Sequence, residues 1–497
     1  MVGESLIKLD GSSLTLDKAY EIAQGASVGI SSDAKERVDR AQKYVHKKAL
    51  EDQSIYGINT GFGYLAKKRI SEDQLKALQL NILKSHACGY GQPLSIPETR
   101  LAMALRLNVL LIGLTGVTYD LCQALCDHLE RGITPIIPEF GSVGASGDLA
   151  PLAHLALPLV GEGMVFYQGN AMEASEALKQ AGLKPIVLQE KEGLGLINGT
   201  QIMLAVGSLA LYEARELIRK SHKVTALTFE AMKASVDPLH PNLQSARGHV
   251  GQMIVAHEII KQLEGSYLTM ECVEPLRVQD SYSLRCAPQV HGASLDVVNH
   301  AIQIIETELN GATDNPLVFA DEDLILSGGN FHGQPLALAY DMASMALSEM
   351  GNISDRRLEL MLNPHMSGLP AFLTPDEGLC SGYMASQYLS ASLVHECKHL
   401  ANPSCTDSIP GNVGIEDHVS MGLASARKFA KITHHVSTIL SIELCVACQA
   451  IDMREAAPLG KGTSLLYELL REYIPMLDDD RIIAEDVNKA VEVFEKI

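Results

Sequence analysis

Gly141-Ser142-Val143-Gly144-Ala145-Ser146-Gly147-Asp148-Leu149-Ala150-Pro151 is the stretch from which the rest of this chain is read. Three glycines punctuate it, and glycine reaches backbone conformations closed to other residues, so the chain here can bend tightly back on itself. Ala145, Ser146 and Gly147 are adjacent small residues, and taken alone such a tripeptide is an ordinary turn. The downstream run Leu149–Val160 is apolar but is broken by Pro151, His154 and Pro158. Upstream, Leu101–Leu114 is broken by Arg106 and Asn108. Neither run reads as a membrane span.

The surrounding chain has 497 residues, 46% of them hydrophobic and 20% charged, a composition that folds around a large core. Its formal net charge of −20 repels phosphate backbones, so a nucleic-acid partner is not expected. Met1-Val2-Gly3-Glu4-Ser5 shows no basic segment followed by an apolar run, so no signal peptide and no membrane partner are expected, and the cytoplasm is the expected location. Ten scattered cysteines suit a reducing compartment. Cys445-x-x-Cys448 and Cys122-x-x-x-Cys126 lie in helical patterns, where such spacing means one face of a helix. No second pair completes a zinc set, so these read as buried thiols and no metal is expected.

Gly, Pro and Asn punctuate the first 200 residues often, as at Gly89–Pro93 and Pro135–Gly147, which predicts short helices, loops and a few short strands. The character changes after Asn198-Gly199-Thr200. Leu295, Val298, Ile302, Ile305 and Leu309 form one helical stripe, stopped by Asn310-Gly311. Pro335–Leu362, Ser381–Leu400 and Val419–Met453 are long, rich in Ala, Leu, Met and Ser, and free of internal proline. The expected fold is mainly α: a mixed N-terminal domain over residues 1–200, then a bundle of long helices over residues 201–497. Asp478–Asp480 reads as a solvated turn before a final helix.

The flanks of Ala145-Ser146-Gly147 resemble the aromatic amino acid ammonia-lyase family. In that family the tripeptide cyclises: the nitrogen at the Gly147 position attacks the carbonyl carbon at the Ala145 position and two waters leave. The resemblance therefore implies a methylidene-imidazolone electrophile made from Ala145, Ser146 and Gly147, with no external cofactor, and an ammonia-lyase/fumarase-like architecture. Tyr56-Gly57-Ile58-Asn59-Thr60-Gly61-Phe62-Gly63 resembles the family's mobile catalytic loop, which makes Tyr56 the implied general base. A free phenol, with pKa of about 10, needs nearby positive charge or hydrogen bonds to serve as one. Asn198, in an Asn-Gly that would otherwise be a turn, matches an amide beside the electrophile that binds substrate. Gln279-Asp280-Ser281-Tyr282-Ser283-Leu284-Arg285 matches a further segment, although Ser281 stands where the family has proline. There Arg285 is implied to bind the substrate carboxylate by its planar fork, beside Gln279, and Tyr282 to polarise the electrophile or relay a proton. Phe331 matches an aromatic packed beside the electrophile, with a plain core position as the alternative. Gly311-Ala312-Thr313-Asp314-Asn315-Pro316 also matches and reads as structural.

Two positions bear on the substrate, an amino acid. Ser85-His86 matches the branches acting on histidine and tyrosine, whereas branches acting on phenylalanine carry an apolar residue there. Glu416 in Ile415-Glu416-Asp417-His418 matches the histidine branch, since a carboxylate holds an imidazole by a charge-assisted hydrogen bond. The departure is Gly411-Asn412-Val413-Gly414-Ile415, where that branch usually reads Ser-Ala-Asn-Gln. The resemblance thus implies deamination of L-histidine to trans-urocanate and ammonia by a homotetramer whose sites combine residues of several chains. The alternatives are a tyrosine ammonia-lyase or aminomutase on the same scaffold and, more distantly, a non-enzymatic structural descendant. The Gly-Ser-Ser-x-Met-Pro loop of fumarase-like lyases is missing from the chain.

Overall fold

The computed structural model describes residues 6–51, 54–61, 63, 64, 70, 72–270, 277–455 and 457–497. Met1–Ser5 and Phe62 of the glycine-rich loop lie outside these residues. Helices dominate, and the chain divides into two compact units. The first comprises Met1–Tyr212, Ile302–Asp341 and Pro403–Arg427; the second comprises Glu213–Ala301, Met342–Asn402 and Lys428–Ile497.

In the first unit the strands are short and peripheral. Ile7–Leu9 pairs in parallel with Val28–Ile30, and Met164–Tyr167 is flanked by Thr134–Pro135 and Asn170–Glu173 in an antiparallel sheet. Helix Ile96–Leu111 runs through the core, buried on every side from Leu101 to Leu111. Ser95 caps it, accepting the Glu98 N–H while the Glu98 carboxylate accepts the Ser95 N–H. Its two polar interruptions are paired inside the fold, as burial requires. Asn108 accepts the Gly11 N–H at 2.9 Å and donates to the Leu309 carbonyl at 2.9 Å. Arg106 donates to the Asn198 carbonyl at 2.9 Å and to Gln201 Oε1 at 2.8 Å. Helix Glu72–His86 packs against Glu192–Ile197 and Leu149–Ala156. These three helices bring His86, Asn198 and the segment before Leu149 into one region.

Close approach elsewhere in this unit depends on glycine. A Cβ at Gly207 would lie 2.0 Å from the Tyr340 ring, which is itself wholly buried. Gly207→Ala should therefore lower stability by about 1–3 kcal/mol, the usual cost of overpacking a filled core. A lower urea midpoint checks this, and an unchanged midpoint would show that the ring can move aside.

The second unit is built on long helices. The stripe expected from Leu295 to Leu309 lies on Ala287–Glu308, and the other long apolar stretches form Gln334–Leu362, Met384–Leu400 and Gly422–Asp452. Parts of these helices also belong to the first unit. Gly422–Asp452 is long and apolar enough to cross a membrane by length and composition, but 72% of its most apolar window is buried within the protein, as in a core helix. Within the second unit, Arg357 forms a two-pronged ion pair with Glu443, at 2.6 and 2.9 Å, with both side chains fully buried. Thr228 and Ser354 complete the Glu443 shell at 2.7 and 2.6 Å. Removing one partner would strand a buried charge. Cys445 and Cys448 are buried here, and burial pushes the Cys445 thiol up to about 12. Asp478–Asp480 is exposed but is more than a solvated turn. The Asp480 carboxylate accepts the N–H groups of Ser381 and Gly382 at 2.8 and 2.9 Å before helix Ile483–Lys496 begins.

Candidate active site

The tripeptide loop is bent as its glycines allow. Ser146 has φ 56° and Gly147 φ 75°, both in the left-handed region, and Gly144 and Gly147 form an isolated bridge across the loop. A Cβ at Gly147 would lie 2.1 Å from the Gly199 carbonyl oxygen, so only glycine fits there. The same carbonyl accepts the Asp148 N–H at 2.7 Å, which ties the loop to the Asn198-Gly199 turn. Asp148 is fully buried; its carboxylate accepts Ser142 Oγ–H and Met203 N–H, each at 2.8 Å. Burial is the larger influence and raises its pKa to about 6. A serine held at positive φ stores strain that the surrounding contacts must hold.

Asn198 ends helix Glu192–Ile197 and is 2% exposed. Its N–H donates to Leu194, its carbonyl accepts from Arg106, and its Nδ2 donates to the Asn315 carbonyl at 2.9 Å. A carbonyl only accepts, so that bond fixes the amide's orientation. Asn198 Oδ1 is left buried without a hydrogen-bond partner among the described residues. The Gly311–Pro316 segment supplies support: Thr313 accepts from Gln201 at 2.7 Å, and Asp314 pairs with Lys191 at 2.5 Å with both side chains fully buried.

One cavity of about 800 Å³ in the first unit is lined by Tyr56, His86, Ser146, Asn198, Phe331 and Glu416 among others. His86 closes helix Glu72–His86, with Nδ1 at 2.9 Å from the Ile82 carbonyl. That acceptor places the ring proton on Nδ1 and leaves Nε2 as an acceptor for a ligand. Ser146 Oγ donates to Glu416 Oε1 at 3.4 Å. Tyr56 is half-buried, and burial, with the Glu416 and Asp314 charges adding to it, raises its pKa. Among the described residues only the Gly63 N–H, at 3.4 Å from the phenol oxygen, favours phenolate. The cavity's polar groups are therefore rich in acceptors: a carboxylate, an imidazole nitrogen and an amide oxygen.

Gln279, Tyr282 and Arg285 lie in the second unit and are not among the residues that line this cavity. Tyr282 is 71% exposed with the Arg285 guanidinium 4.6 Å from its ring centroid, and Arg285 Nε has no hydrogen-bond partner among the described residues. Sequence reading passed over Tyr64, Asn81 and Asn412, which also line the cavity. Asn412 sits in the very segment that departs from the family pattern.

A family model described as aromatic amino acid lyase matches residues 14–472. The chain belongs to the aromatic amino acid lyase family. It is a carbon–nitrogen lyase. Over 482 residues it is 47% identical to the histidine ammonia-lyase of Myxococcus xanthus, covering 97% of this chain and 95% of that relative. The crystal structure of histidine ammonia-lyase from Trypanosoma cruzi matches it with TM-score 0.92 at 40% identity, over 99% of this chain and 94% of the other. Tyrosine aminomutase from Streptomyces globisporus matches with TM-score 0.93 at 36% identity, over 99% and 97% of the two chains. The lyase backbone is thus shared by enzymes named for different amino acids, and the side chains of the cavity must choose among them.

Proposed function

We propose that this aromatic amino acid lyase deaminates L-histidine to trans-urocanate and ammonia. The observation that carries the reading is the gathering of His86 and Glu416, two partners for an imidazole, into the cavity that also holds Tyr56, Ser146 and Asn198. Histidine ammonia-lyases are among its relatives at 47% identity over almost the whole chain.

Ala145, Ser146 and Gly147 fit the self-formed methylidene-imidazolone of the family. The loop is already turned back at Ser146 and Gly147, and position 147 has no room for a side chain. When formed, the group supplies an electrophilic methylene that turns the substrate's nitrogen into a better leaving group; no external cofactor enters. Asn198 Oδ1, buried and open, accepts from the substrate amine. Glu416 and His86 Nε2 accept the two N–H groups of the substrate ring, which is bound as imidazolium. Tyr56, as phenolate, takes the β-proton; the C–H electron pair becomes the new double bond, and the nitrogen departs with the C–N pair. The partner subunit's Arg285 holds the carboxylate, with Gln279 and Tyr282 beside it, in a homotetramer. The exposure of Tyr282 and of Val278, 71% and 102%, supports a neighbouring chain over that segment. Phe331 packs beside the reacting group. A cytoplasmic location fits the free cysteines.

A tyrosine ammonia-lyase or aminomutase is the second reading, favoured by the likeness to tyrosine aminomutase. The hydroxyl of tyrosine satisfies one acceptor, a protonated imidazole ring satisfies both, and a phenyl ring satisfies neither. Each buried polar group left unpaired costs about 1–3 kcal/mol, so histidine should lead phenylalanine in kcat/KM by about 10²-fold or more. Measuring kcat/KM for the three amino acids in the native enzyme and in Glu416→Gln decides between the readings. Histidine should lead and should suffer most from the substitution. Tyrosine leading, or histidine turnover indifferent to Glu416, would overturn the substrate, and a β-amino acid product would mark an aminomutase.

A further inference from the structure

Glu416 and the loop that carries Tyr56 meet at a single side chain. Asn412 Nδ2 donates to Glu416 Oε1 at 3.2 Å, and Asn412 Oδ1 accepts the Tyr64 N–H at 3.4 Å. The neighbouring Gly63 N–H reaches the Tyr56 oxygen, and the same Glu416 oxygen accepts from Ser146. The backbone around Asn412 is held in a costly shape. Asn412, Val413 and Gly414 have φ of 46°, 57° and 83°, and for a β-branched valine this conformation is strongly disfavoured. Gly411 and Glu416 close the segment on itself: the Gly411 N–H donates to the Glu416 carbonyl at 2.7 Å and the reverse bond spans 3.3 Å. Strain of this kind persists where the surroundings over-determine it, often at a functional clamp. The fit to the loop is tight, since a Cβ at Gly63, itself at φ 54°, would lie 2.2 Å from Asn412 Nδ2.

We propose that Asn412 is a positioning residue that sets the Glu416 carboxylate and clasps the Gly63–Tyr64 backbone, so that one side chain couples recognition of the substrate ring to the placement of Tyr56. The inference rests on the reading of Glu416 as the partner of that ring. It also gives the departure at Gly411–Ile415 a role: the Asn412 amide bridges the carboxylate and the loop backbone.

Two variants separate the two bonds. Asn412→Gly suits the positive φ and removes the amide altogether. Asn412→Asp keeps an acceptor for Tyr64 but sets a second carboxylate against Glu416. Asn412→Gly should lower kcat/KM for histidine about tenfold or more, a loss in the range for a hydrogen bond to a charged group. Asn412→Asp should mainly raise KM and keep most of kcat. Asn412→Gly should add little in a Glu416→Gln background, since residues acting as a unit are not additive. Hydrogen exchange at the Gly63 and Tyr64 amides should quicken in Asn412→Gly and stay near native in Asn412→Asp. Unchanged exchange, or additive losses in the double variant, would overturn the proposal. If the native enzyme leaves histidine untouched, the substrate reading fails instead, and the exchange measurement still decides whether Asn412 clasps the loop.

Discussion

Ser146→Ala should give a folded protein with its full sequence mass and almost no turnover, while the native enzyme should weigh two waters less than its sequence. Cyclisation needs the Gly147 nitrogen to approach the Ala145 carbonyl carbon, and the loop is already turned back there, with Ser146 at φ 56° and Gly147 at φ 75°. One water leaves with the carbonyl oxygen; the other carries the Ser146 hydroxyl and leaves the exocyclic methylene. Alanine has no hydroxyl to eliminate, so the methylene cannot form and the tripeptide should stay uncyclised. The fold should survive, because among the described residues Ser146 Oγ has only a long contact, 3.4 Å, to Glu416, whereas the bonds that tie the loop run through Asp148 and Gly199. Peptide mass spectrometry over residues 141–151, with circular dichroism on both proteins, checks the two halves. Active native enzyme with an unmodified mass would refute the electrophile, and borohydride inactivation of the native enzyme would support it.

Tyr56→Phe should bind histidine and turn it over about 10²–10⁴-fold more slowly, the usual contribution of a positioned acid–base group. The fold makes this a demanding test, because burial and the Glu416 charge both hold the phenol proton on. Among the described residues only the Gly63 N–H opposes them. A cation brought by a neighbouring chain would favour the phenolate. Turnover should therefore rise with pH as the phenol loses its proton, and this limb should vanish in Tyr56→Phe. On the proposed shared-site tetramer, mixing Tyr56→Phe with Tyr282→Phe during refolding should restore part of the activity, because some sites would draw both native residues. Near-native turnover in Tyr56→Phe would send the search for the base to Glu416.

Much of the helical framework was legible from local pattern. The stripe from Leu295 to Leu309 and the proline-free stretches after it announced Ala287–Glu308, Gln334–Leu362 and Gly422–Asp452, because a repeat near 3.6 residues is a property of neighbouring positions. Arg106 and Asn108 looked like interruptions of an apolar run. They proved to be fully buried and hydrogen-bonded across the fold, to a partner 201 residues away in the case of Asn108. Asp478–Asp480 looked merely solvated because a carboxylate's backbone partners cannot be seen in composition. Asn412 was read only as part of a departure from the family pattern, because its meaning lies in two contacts, one of them 348 residues distant.

The sequence by itself determined the family, through a chemistry carried by contiguous residues: a tripeptide able to cyclise needs only its own three positions and flanking glycines. It also determined the long helices, whose apolar faces repeat locally. Only the tertiary structure decided which polar groups face one cavity, that Asn198 Oδ1 is left open, that Asp148 is buried enough to raise its pKa to about 6, and that Glu416 stands against Ser146 across 270 residues of chain. The physical reason is range. Propensity and periodicity act over a few residues, whereas desolvation, charge and hydrogen bonding at a site depend on which distant segments the packed core brings together.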